Sequence, residues 1–201
     1  GLDWILENNA DVEIVADLIY SKISTRKAKW VLAVPEHSQI KTIEDCAGKS
    51  ISTELVNFTR KYFEERNIPV TIDFSWGATE AKVVEGLVDA IVEVTETGST
   101  IKAHGLKIIH TLLETNTKLI ANKKSLEDPW KICKIRKIAL MLRGALNADN
   151  LVGLKMNVPD EKLDSVVKEL PSLTSPTVAK LFNSAWFSVE TVIPESVARD
   201  L

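Results

Sequence analysis

The residues best suited to chemistry follow a single apolar stretch of the chain. Val88 to Val92 is predicted to form a buried strand, and the next segment, Glu93 to Thr100, holds two acids, four hydroxyl side chains and one glycine. A glycine lets the backbone approach an anion, N–H groups at a strand-to-helix turn point toward it, and hydroxyls add donors. The acids do not bind phosphate, but they suit sugar hydroxyls or a magnesium ion. The segment therefore predicts a site for a phosphorylated sugar. An ordinary turn is the alternative, because turns favour the same residues.

Composition restricts the class of protein. The 201 residues are 45% hydrophobic and 26% charged, with a net charge of −3. These values are typical of a folded globular protein, and without a basic excess we expect no nucleic-acid partner. No apolar run has the length of a membrane span, and no signal peptide is visible, so we expect no membrane association. The two cysteines, Cys46 and Cys133, fit no metal site and favour a cytoplasmic location.

Strands and helices alternate around the candidate site. Strands are predicted at Ser50 to Thr53 and at Val70 to Phe74, and between them Leu55, Phe58 and Tyr62 recur at helical spacing. This order predicts a right-handed βαβ unit in a mainly parallel sheet. In open α/β sheets, ligands bind at the carboxyl ends of the strands. The predicted site follows such a strand end, and so does the turn at Ser75, Trp76 and Gly77.

The other elements predicted before the C-terminal region are shorter or less regular. They are a helix end at Leu2 to Glu7, a basic turn at Ser21 to Lys29, a helix at Thr79 to Leu87, strands at Val12 to Ile19 and Trp30 to Val34, and two strands between Leu106 and Ala121.

The pattern changes after a long helix that Asp128 caps and Pro129 begins. Beyond it the predicted order is strand, helix, strand, strand and the start of a helix. This βαββα order is that of a ferredoxin-like unit that lacks its last strand. The long helix is therefore the predicted domain boundary.

With these elements in place, the chain resembles the ATP phosphoribosyltransferase family in its long form, which carries an ACT-like regulatory domain. The central motif runs from Glu80 through Gly86 and Ile91 to Glu93 and the Thr97–Thr100 turn. Supporting segments lie in the same order along nearly the whole chain. They are GLDWILE, LAVP, STELVNFTRKYF, WGATEA, KLIANK and the turn Ser175-Pro176-Thr177.

The resemblance implies an α/β fold with a two-lobed catalytic part, like a periplasmic binding protein, and a C-terminal ferredoxin-like domain. Residues 1–35 and 122–148 would belong to catalytic domain I, residues 36–121 to domain II, and residues 149–201 to the regulatory domain. The implied reaction joins N1 of ATP to C1 of phosphoribosyl pyrophosphate with Mg²⁺ present, as the first step of histidine biosynthesis. Histidine would inhibit it, and the chain would form dimers that assemble into hexamers.

The resemblance also assigns residues to the ligands. The phosphoribosyl pyrophosphate site would consist of Glu93, Thr95, Glu96, Thr97, Gly98, Ser99 and Thr100. Glu93 would hold the ribose diol, and the residues from Thr97 to Thr100 would surround the phosphate. The histidine site would include Asn157, Ser175, Thr177 and Val192, although the Ser175 turn also suits a simple link to a strand. No metal-ligand cluster is predicted.

Three departures from the family pattern accompany the match. The family's basic N-terminal segment is not present ahead of Gly1, and the last strand of the regulatory domain is not present after Leu201. The positions of Val88 and Glu93 more usually carry a small residue and an aspartate. Glu93 is one methylene longer and still suits a sugar diol.

Two further hypotheses explain the same features differently. The chain is a non-catalytic, two-lobed module that binds a small molecule, or it is an amino-acid sensor attached to an inactive remnant. Neither Ser-His-Asp nor Cys-His arrangements are apparent, and His37, His104 and His110 are expected to have structural or surface roles. The transfer chemistry itself needs no covalent nucleophile.

Overall fold

The structure, a computed structural model, describes residues 1–19, 27–149, 151–171 and 175–198. The chain divides into two compact units, Gly1–Ala139 and Leu140–Leu201. This division falls within the long helix predicted as the domain boundary. The predicted basic turn at Ser21 to Lys29 lies mostly outside the described residues. Within the described part of the chain, no helix has the length and apolar character needed to cross a membrane.

Most of the predicted elements are present, several of them with shifted ends. In the first unit the helices are α1 (Leu2–Glu7), α2 (Val56–Glu64), α3 (Thr79–Val84), α4 (Ser99–Ala103), α5 (Lys123–Glu127) and the start of α6 (Pro129–Ala148). The strands are β1 (Val12–Leu18), β2 (Ala28–Pro35), β3 (Ser50–Thr53), β4 (Thr71–Phe74), β5 (Ala90–Thr95), β6 (Leu106–Thr115) and β7 (Thr117–Asn122).

The main sheet has five strands in the order β4-β3-β5-β2-β6. β3 pairs in parallel with β4 and β5, whereas β2 pairs antiparallel with β5 and β6. Four of the five strands therefore run in one direction, as expected for a mainly parallel sheet, but the reversed strand β2 was not predicted. A return strand that pairs in the opposite direction requires contacts between distant segments, and the local βαβ pattern carries no signal for them.

Apolar side chains cover both faces of this sheet. On one face Leu32 and Ile51 pack with Phe63 of α2, and all three are fully buried. On the other face, Ile91 packs with Ile101 of α4. These opposite faces follow from the alternation of side chains along a strand, and they hold the carboxyl edge of β3, β4 and β5 in place.

A carboxylate at the end of the N-terminal helix α1 joins it to α2, a helix that packs on the main sheet. The two Glu7 oxygens accept hydrogen bonds from the backbone N–H groups of Asn57 (3.0 Å) and Phe58 (2.9 Å). These donors lie in the first turn of α2, where the helix has no backbone acceptor for them. Glu7 is itself buried, so it caps α2 from a segment 50 residues away.

We expect the Glu7→Ala variant to lose about 2–3 kcal/mol of unfolding free energy, because two N–H groups in partly buried contacts lose a charged acceptor. For a protein of this size, that corresponds to a fall in Tm of about 4–12 °C. Calorimetry measures it. The control is Glu13→Ala, which removes an exposed glutamate from β1 and should change stability by no more than about 0.5 kcal/mol. Equal Tm values for the two variants would show that Glu7 does not stabilise α2.

The second unit contains the end of α6, the strands β8 (Leu151–Pro159), β9 (Thr177–Lys180) and β10 (Trp186–Pro194), and the helices α7 (Asp160–Glu169) and α8 (Glu195–Ala198). The strands form an antiparallel sheet in the order β8-β10-β9. Val189 and Ile193 of β10 are fully buried. The predicted βαββα order is confirmed in the described residues.

Candidate functional site

The candidate segment Glu93–Thr100, called here the β5–α4 segment, begins inside a strand. β5 extends to Thr95, so Glu93 and Thr95 are strand residues and only residues 96–98 form the turn before α4. The sequence prediction, which ended the strand at Val92, was wrong at this boundary. The reason is pairing: Glu93 and Thr95 lie opposite Val31 and Lys29 of β2, and that partner keeps the backbone extended.

Hydroxyl groups organise the turn. The Thr95 Oγ1 accepts a hydrogen bond of 2.8 Å from the N–H of Gly98. The hydroxyls of Thr97 and Ser99 lie 2.9 Å apart, and the Ser99 N–H donates to the Thr97 Oγ1 at 3.3 Å. Thr97 and Ser99 are exposed, so their remaining lone pairs and hydroxyl protons face solvent. The turn therefore presents a cluster of donors at the carboxyl end of β5.

Gly98 has the one conformation in this turn that requires a glycine. Its φ of 77° lies in the left-handed region, which costs other residues about 1–2 kcal/mol. A Cβ built on Gly98 would lie 3.2 Å from the Cδ1 of Ile108, so a side chain here would also press on β6. The residue is buried, and the chain passes directly from it into α4.

Glu93 lies in a crowded, acidic environment. Burial raises the pKa of its carboxyl, and the nearby charges of Glu80 and Glu54 raise it further. A hydrogen bond of 3.0 Å from the Val94 N–H and the neighbouring Thr79 hydroxyl act in the opposite direction. The negative charge of Glu93 is thus disfavoured in the free protein. A ligand that supplies hydroxyl donors or a cation would stabilise the negative charge of Glu93.

Two buried hydroxyls beside the site were not singled out from the sequence. The Oγ of Ser75 and the Oγ1 of Thr79 are buried, and neither makes a hydrogen bond of ordinary geometry with the described residues. Thr79 begins α3 and faces Glu93, while the Ser75 N–H donates to the Thr53 carbonyl at 3.0 Å. The sequence signals near them were the turn after β4, which includes Ser75, and the predicted start of a helix at Thr79.

The family profile described as ATP phosphoribosyltransferase matches residues 1–144, and the profile described as HisG, C-terminal domain, matches residues 148–201. The chain belongs to the ATP phosphoribosyltransferase family. The ATP phosphoribosyltransferase of Solidesulfovibrio magneticus is 65% identical over all of this chain and 69% of its own length. That of Desulfatibacillum aliphaticivorans is 62% identical with the same coverage.

A solved structure agrees with this membership. The chain is similar to the ATP phosphoribosyl transferase (HisG:HisZ) complex from Thermotoga maritima, with a TM-score of 0.61 and 27% identity over 72% of this chain and 67% of that one. The predicted α/β fold class with its C-terminal domain is confirmed. Membership makes the chain a pentosyltransferase of the first step of histidine biosynthesis, and the alternative of a non-catalytic binding module is not favoured.

Asp89, His104 and His110 make contacts that maintain the fold of this member of the ATP phosphoribosyltransferase family. Asp89, at the opposite end of β5, accepts hydrogen bonds of 2.9 Å from both the N–H and the hydroxyl of Ser50. It therefore fixes the start of β3. The His110 Nε2 lies 2.7 Å from the Tyr62 hydroxyl, which links β6 to α2. The Nδ1 of His104 lies 2.9 Å from the carbonyl oxygen of Thr100, within α4.

Three of the four residues assigned to histidine share one face of the C-terminal sheet. Asn157 lies opposite Ser188, and Thr177 lies opposite Glu190, which is two residues before Val192 on β10. Alternation places these positions on the same side, away from buried Val189 and Ile193. All three predicted residues are exposed, and exposed Ser175 precedes β9. Their role in binding histidine stays a prediction.

The donors around Glu93 fit a magnesium ion in type, but they do not form a ready-made cage. Among the described residues, no group of three or more His, Cys, Asp or Glu side chains is arranged to hold a metal ion. Mg²⁺ in phosphoryl sites is commonly held by one or two carboxylates together with substrate oxygens and water. Glu93 and the acidic residues near it offer the one or two carboxylates that such a site needs.

Proposed function

We propose that the β5–α4 segment binds the ribose 5-phosphate part of phosphoribosyl pyrophosphate, and that the chain transfers this group to N1 of the adenine of ATP. The observation that carries the proposal is the conformation of Gly98. A buried, left-handed glycine among the hydroxyls of Thr97 and Ser99 lets a phosphate approach the backbone at a strand end. The family's motif lies at the same residues.

The residues have separate roles in this proposal. Glu93, a half-buried residue of β5, accepts hydrogen bonds from the ribose hydroxyls. Thr97, Gly98, Ser99 and Thr100 surround the phosphate with hydroxyl and N–H donors. Thr95 acts indirectly, because its hydroxyl already holds the Gly98 N–H. Glu96 is exposed in the turn and borders the ligand.

The reaction is a displacement at the sugar's C1. The bond from C1 to the pyrophosphate oxygen breaks, the bond from C1 to the adenine nitrogen forms, and the sugar carries positive charge in between. The protein's contribution is to hold the two reactants in line and to place the carboxylate of Glu93 near the charged sugar. No residue needs to form a covalent bond with the substrate.

Magnesium is proposed to bind together with the pyrophosphate. Glu54 and Glu80, whose charges already act on Glu93, are the carboxylates that would complete its coordination. When bound, the ion would neutralise charge on the departing pyrophosphate. Chelation of the metal should weaken binding of phosphoribosyl pyrophosphate, and calorimetry with and without EDTA tests it.

We expect the Thr100→Ala variant to bind phosphoribosyl pyrophosphate about 10- to 150-fold more weakly, since it loses a hydrogen bond to a charged phosphate. Isothermal titration measures the Kd. The Thr117→Ala variant removes an exposed threonine at the start of β7 and serves as the control. A loss below about tenfold in Thr100→Ala would argue against direct contact.

The decisive test of the function is the release of pyrophosphate. Mixing the protein with ATP, phosphoribosyl pyrophosphate and Mg²⁺ should release pyrophosphate, and leaving out either substrate should stop it. Binding of phosphoribosyl pyrophosphate without any release in the presence of ATP would instead favour a binding module.

The exposed face of the C-terminal sheet is proposed to bind histidine. Asn157, Thr177 and Val192 share that face, and Ser175 lies two residues before Thr177 in the sequence. Histidine should raise the Tm of the protein, and Asn157→Ala should remove most of that increase.

We also propose, from the family, that the chain forms homodimers that assemble into a hexamer, and that it has a cytoplasmic location. Analytical ultracentrifugation tests the assembly.

A further inference from the structure

The turn between β4 and α3 presents a single large aromatic side chain to solvent. Trp76 is 81% exposed, although both sides of the turn are anchored. Ser75 is buried with its N–H bonded to Thr53 of β3, and Thr79 is buried at the start of α3. Between them Gly77 and Ala78 both have positive φ values, 71° and 49°. The indole is thus exposed on a short turn whose flanking residues, Ser75 and Thr79, are buried.

This turn lies beside the proposed sugar site. Thr79 faces the Glu93 carboxyl, and Trp76 precedes it by three residues. Three residues of extended chain span at most about 11 Å, so the backbone of Trp76 lies within that distance of Thr79. An indole ring adds several ångströms of reach in addition. The turn's other anchor, Ser75, lies beside the end of β3, which continues directly into Glu54.

The proposed reaction brings the flat adenine ring to this place. The adenine N1 must approach the sugar C1 to about 3–3.5 Å, and the ribose is proposed to lie at Glu93. The adenine ring therefore lies close to Glu93 as well. Purine rings gain affinity from stacking on aromatic side chains, and tryptophan offers the largest such surface.

A second exposed aromatic side chain at this edge of the sheet, that of Phe74, is on the face opposite to Glu93. Phe74, at the end of β4, is 65% exposed. It lies opposite Thr53, which in turn lies opposite Val92 of β5. Glu93 follows Val92, so its side chain is on the other face of the sheet from Phe74. Trp76 lies beyond the end of β4, so this alternation does not determine the face on which its side chain lies.

We propose that the indole of Trp76 stacks on the adenine ring of ATP and holds it toward the sugar bound at the β5–α4 segment. The inference rests on the proposed function, and it adds a contact to the base. This contact with the base does not depend on the triphosphate of ATP. Because a stacking surface accepts any flat base, Trp76 contributes affinity and orientation, while the identity of the base is read by other groups.

The test compares Trp76→Ala and Trp76→Phe in the full-length protein by isothermal titration with ATP, AMP and phosphoribosyl pyrophosphate. In Trp76→Ala, ATP and AMP should bind about 5- to 150-fold more weakly, by the same factor, while phosphoribosyl pyrophosphate binds as in the wild type. Trp76→Phe should keep most of the affinity. AMP should quench tryptophan fluorescence in the wild type and much less in Trp76→Phe.

The matched control is Trp130→Ala, which removes an equally prominent indole, 67% exposed, from the start of α6. It should leave all three affinities unchanged. If Trp76→Ala binds AMP as tightly as the wild type does, while both bind phosphoribosyl pyrophosphate, the inference alone is overturned. The same holds if the variant changes only the oligomeric state, because Trp76 would then be an interface residue. A wild-type protein that binds neither ligand overturns the proposed function, and this inference with it.

Discussion

The Gly98→Val variant is expected to fold and to lose detectable binding of phosphoribosyl pyrophosphate. Two effects add. A valine at a φ of 77° costs roughly 1–2 kcal/mol of stability, and more for a β-branched side chain. Its Cβ would also lie 3.2 Å from Ile108, so the turn must move to accommodate the new methyl groups. Because the phosphate is proposed to bind against this backbone, the displaced turn no longer fits it.

The control for Gly98→Val is the same substitution at Gly105, which ends the turn after α4. Gly105 has a φ of 69°, but nothing lies within 4 Å of a Cβ built there. Both variants should therefore lose stability through the backbone, measured as Tm, with a further loss in Gly98→Val from the contact with Ile108, whereas only Gly98→Val should lose binding in isothermal titration. If folded Gly98→Val binds phosphoribosyl pyrophosphate within about threefold of the Gly105→Val variant, the segment does not hold the phosphate.

The Glu93→Gln variant is expected to change stability and binding in opposite directions. Burial and the adjacent acids raise the pKa of Glu93 in the folded protein, so the folded state holds this proton more tightly than the unfolded chain. Stability therefore falls as pH rises from the ordinary glutamate range through the raised folded pKa, and the full cost is present above it. Glutamine removes the charge. We expect a higher Tm than wild type at pH 7 and no such gain below about pH 4.

Binding should be weaker in the same Glu93→Gln variant. An amide accepts a hydrogen bond from a sugar hydroxyl less strongly than a carboxylate does, and it attracts no cation. We expect the Kd for phosphoribosyl pyrophosphate to rise at least about tenfold at pH 7. Glu93→Asp is the matched variant, since it keeps the charge and carries the residue more usual in the family; it should retain binding. Equal affinities of the glutamine and aspartate variants would exclude a role for the charge.

Much of the fold was predictable from local pattern. The strand at Ser50 to Thr53 was correct at both ends, and the Asp128-Pro129 pair begins α6, with the Asp128 carboxylate accepting from the N–H of Trp130 at 2.9 Å. Both depend on interactions within a few residues, either side-chain alternation or a cap at the first helical turn. The βαββα order of the C-terminal region was predicted for the same reason.

Pairing between distant strands was not predictable in the same way. β2 lies between β5 and β6 and runs antiparallel to both, which made the sheet mixed and extended β5 through Thr95. Glu7 gave no signal of its contact with α2, because its partners lie 50 and 51 residues away. In each case the stabilising contact joins residues that share no local periodicity.

The composition of Glu93–Thr100 already specified what this protein's site offers a ligand: hydroxyl and backbone donors around one glycine, next to an acid. Those properties belong to residue types and their order, so they are present in the chain before it folds. Three further properties arise only from the fold. Gly98 is held against Ile108, Glu93 is half-buried within reach of the charges of Glu54 and Glu80, and Trp76 is exposed near them. They depend on which strands become neighbours and on how much water the packed helices exclude, and both are set by contacts across the sheet.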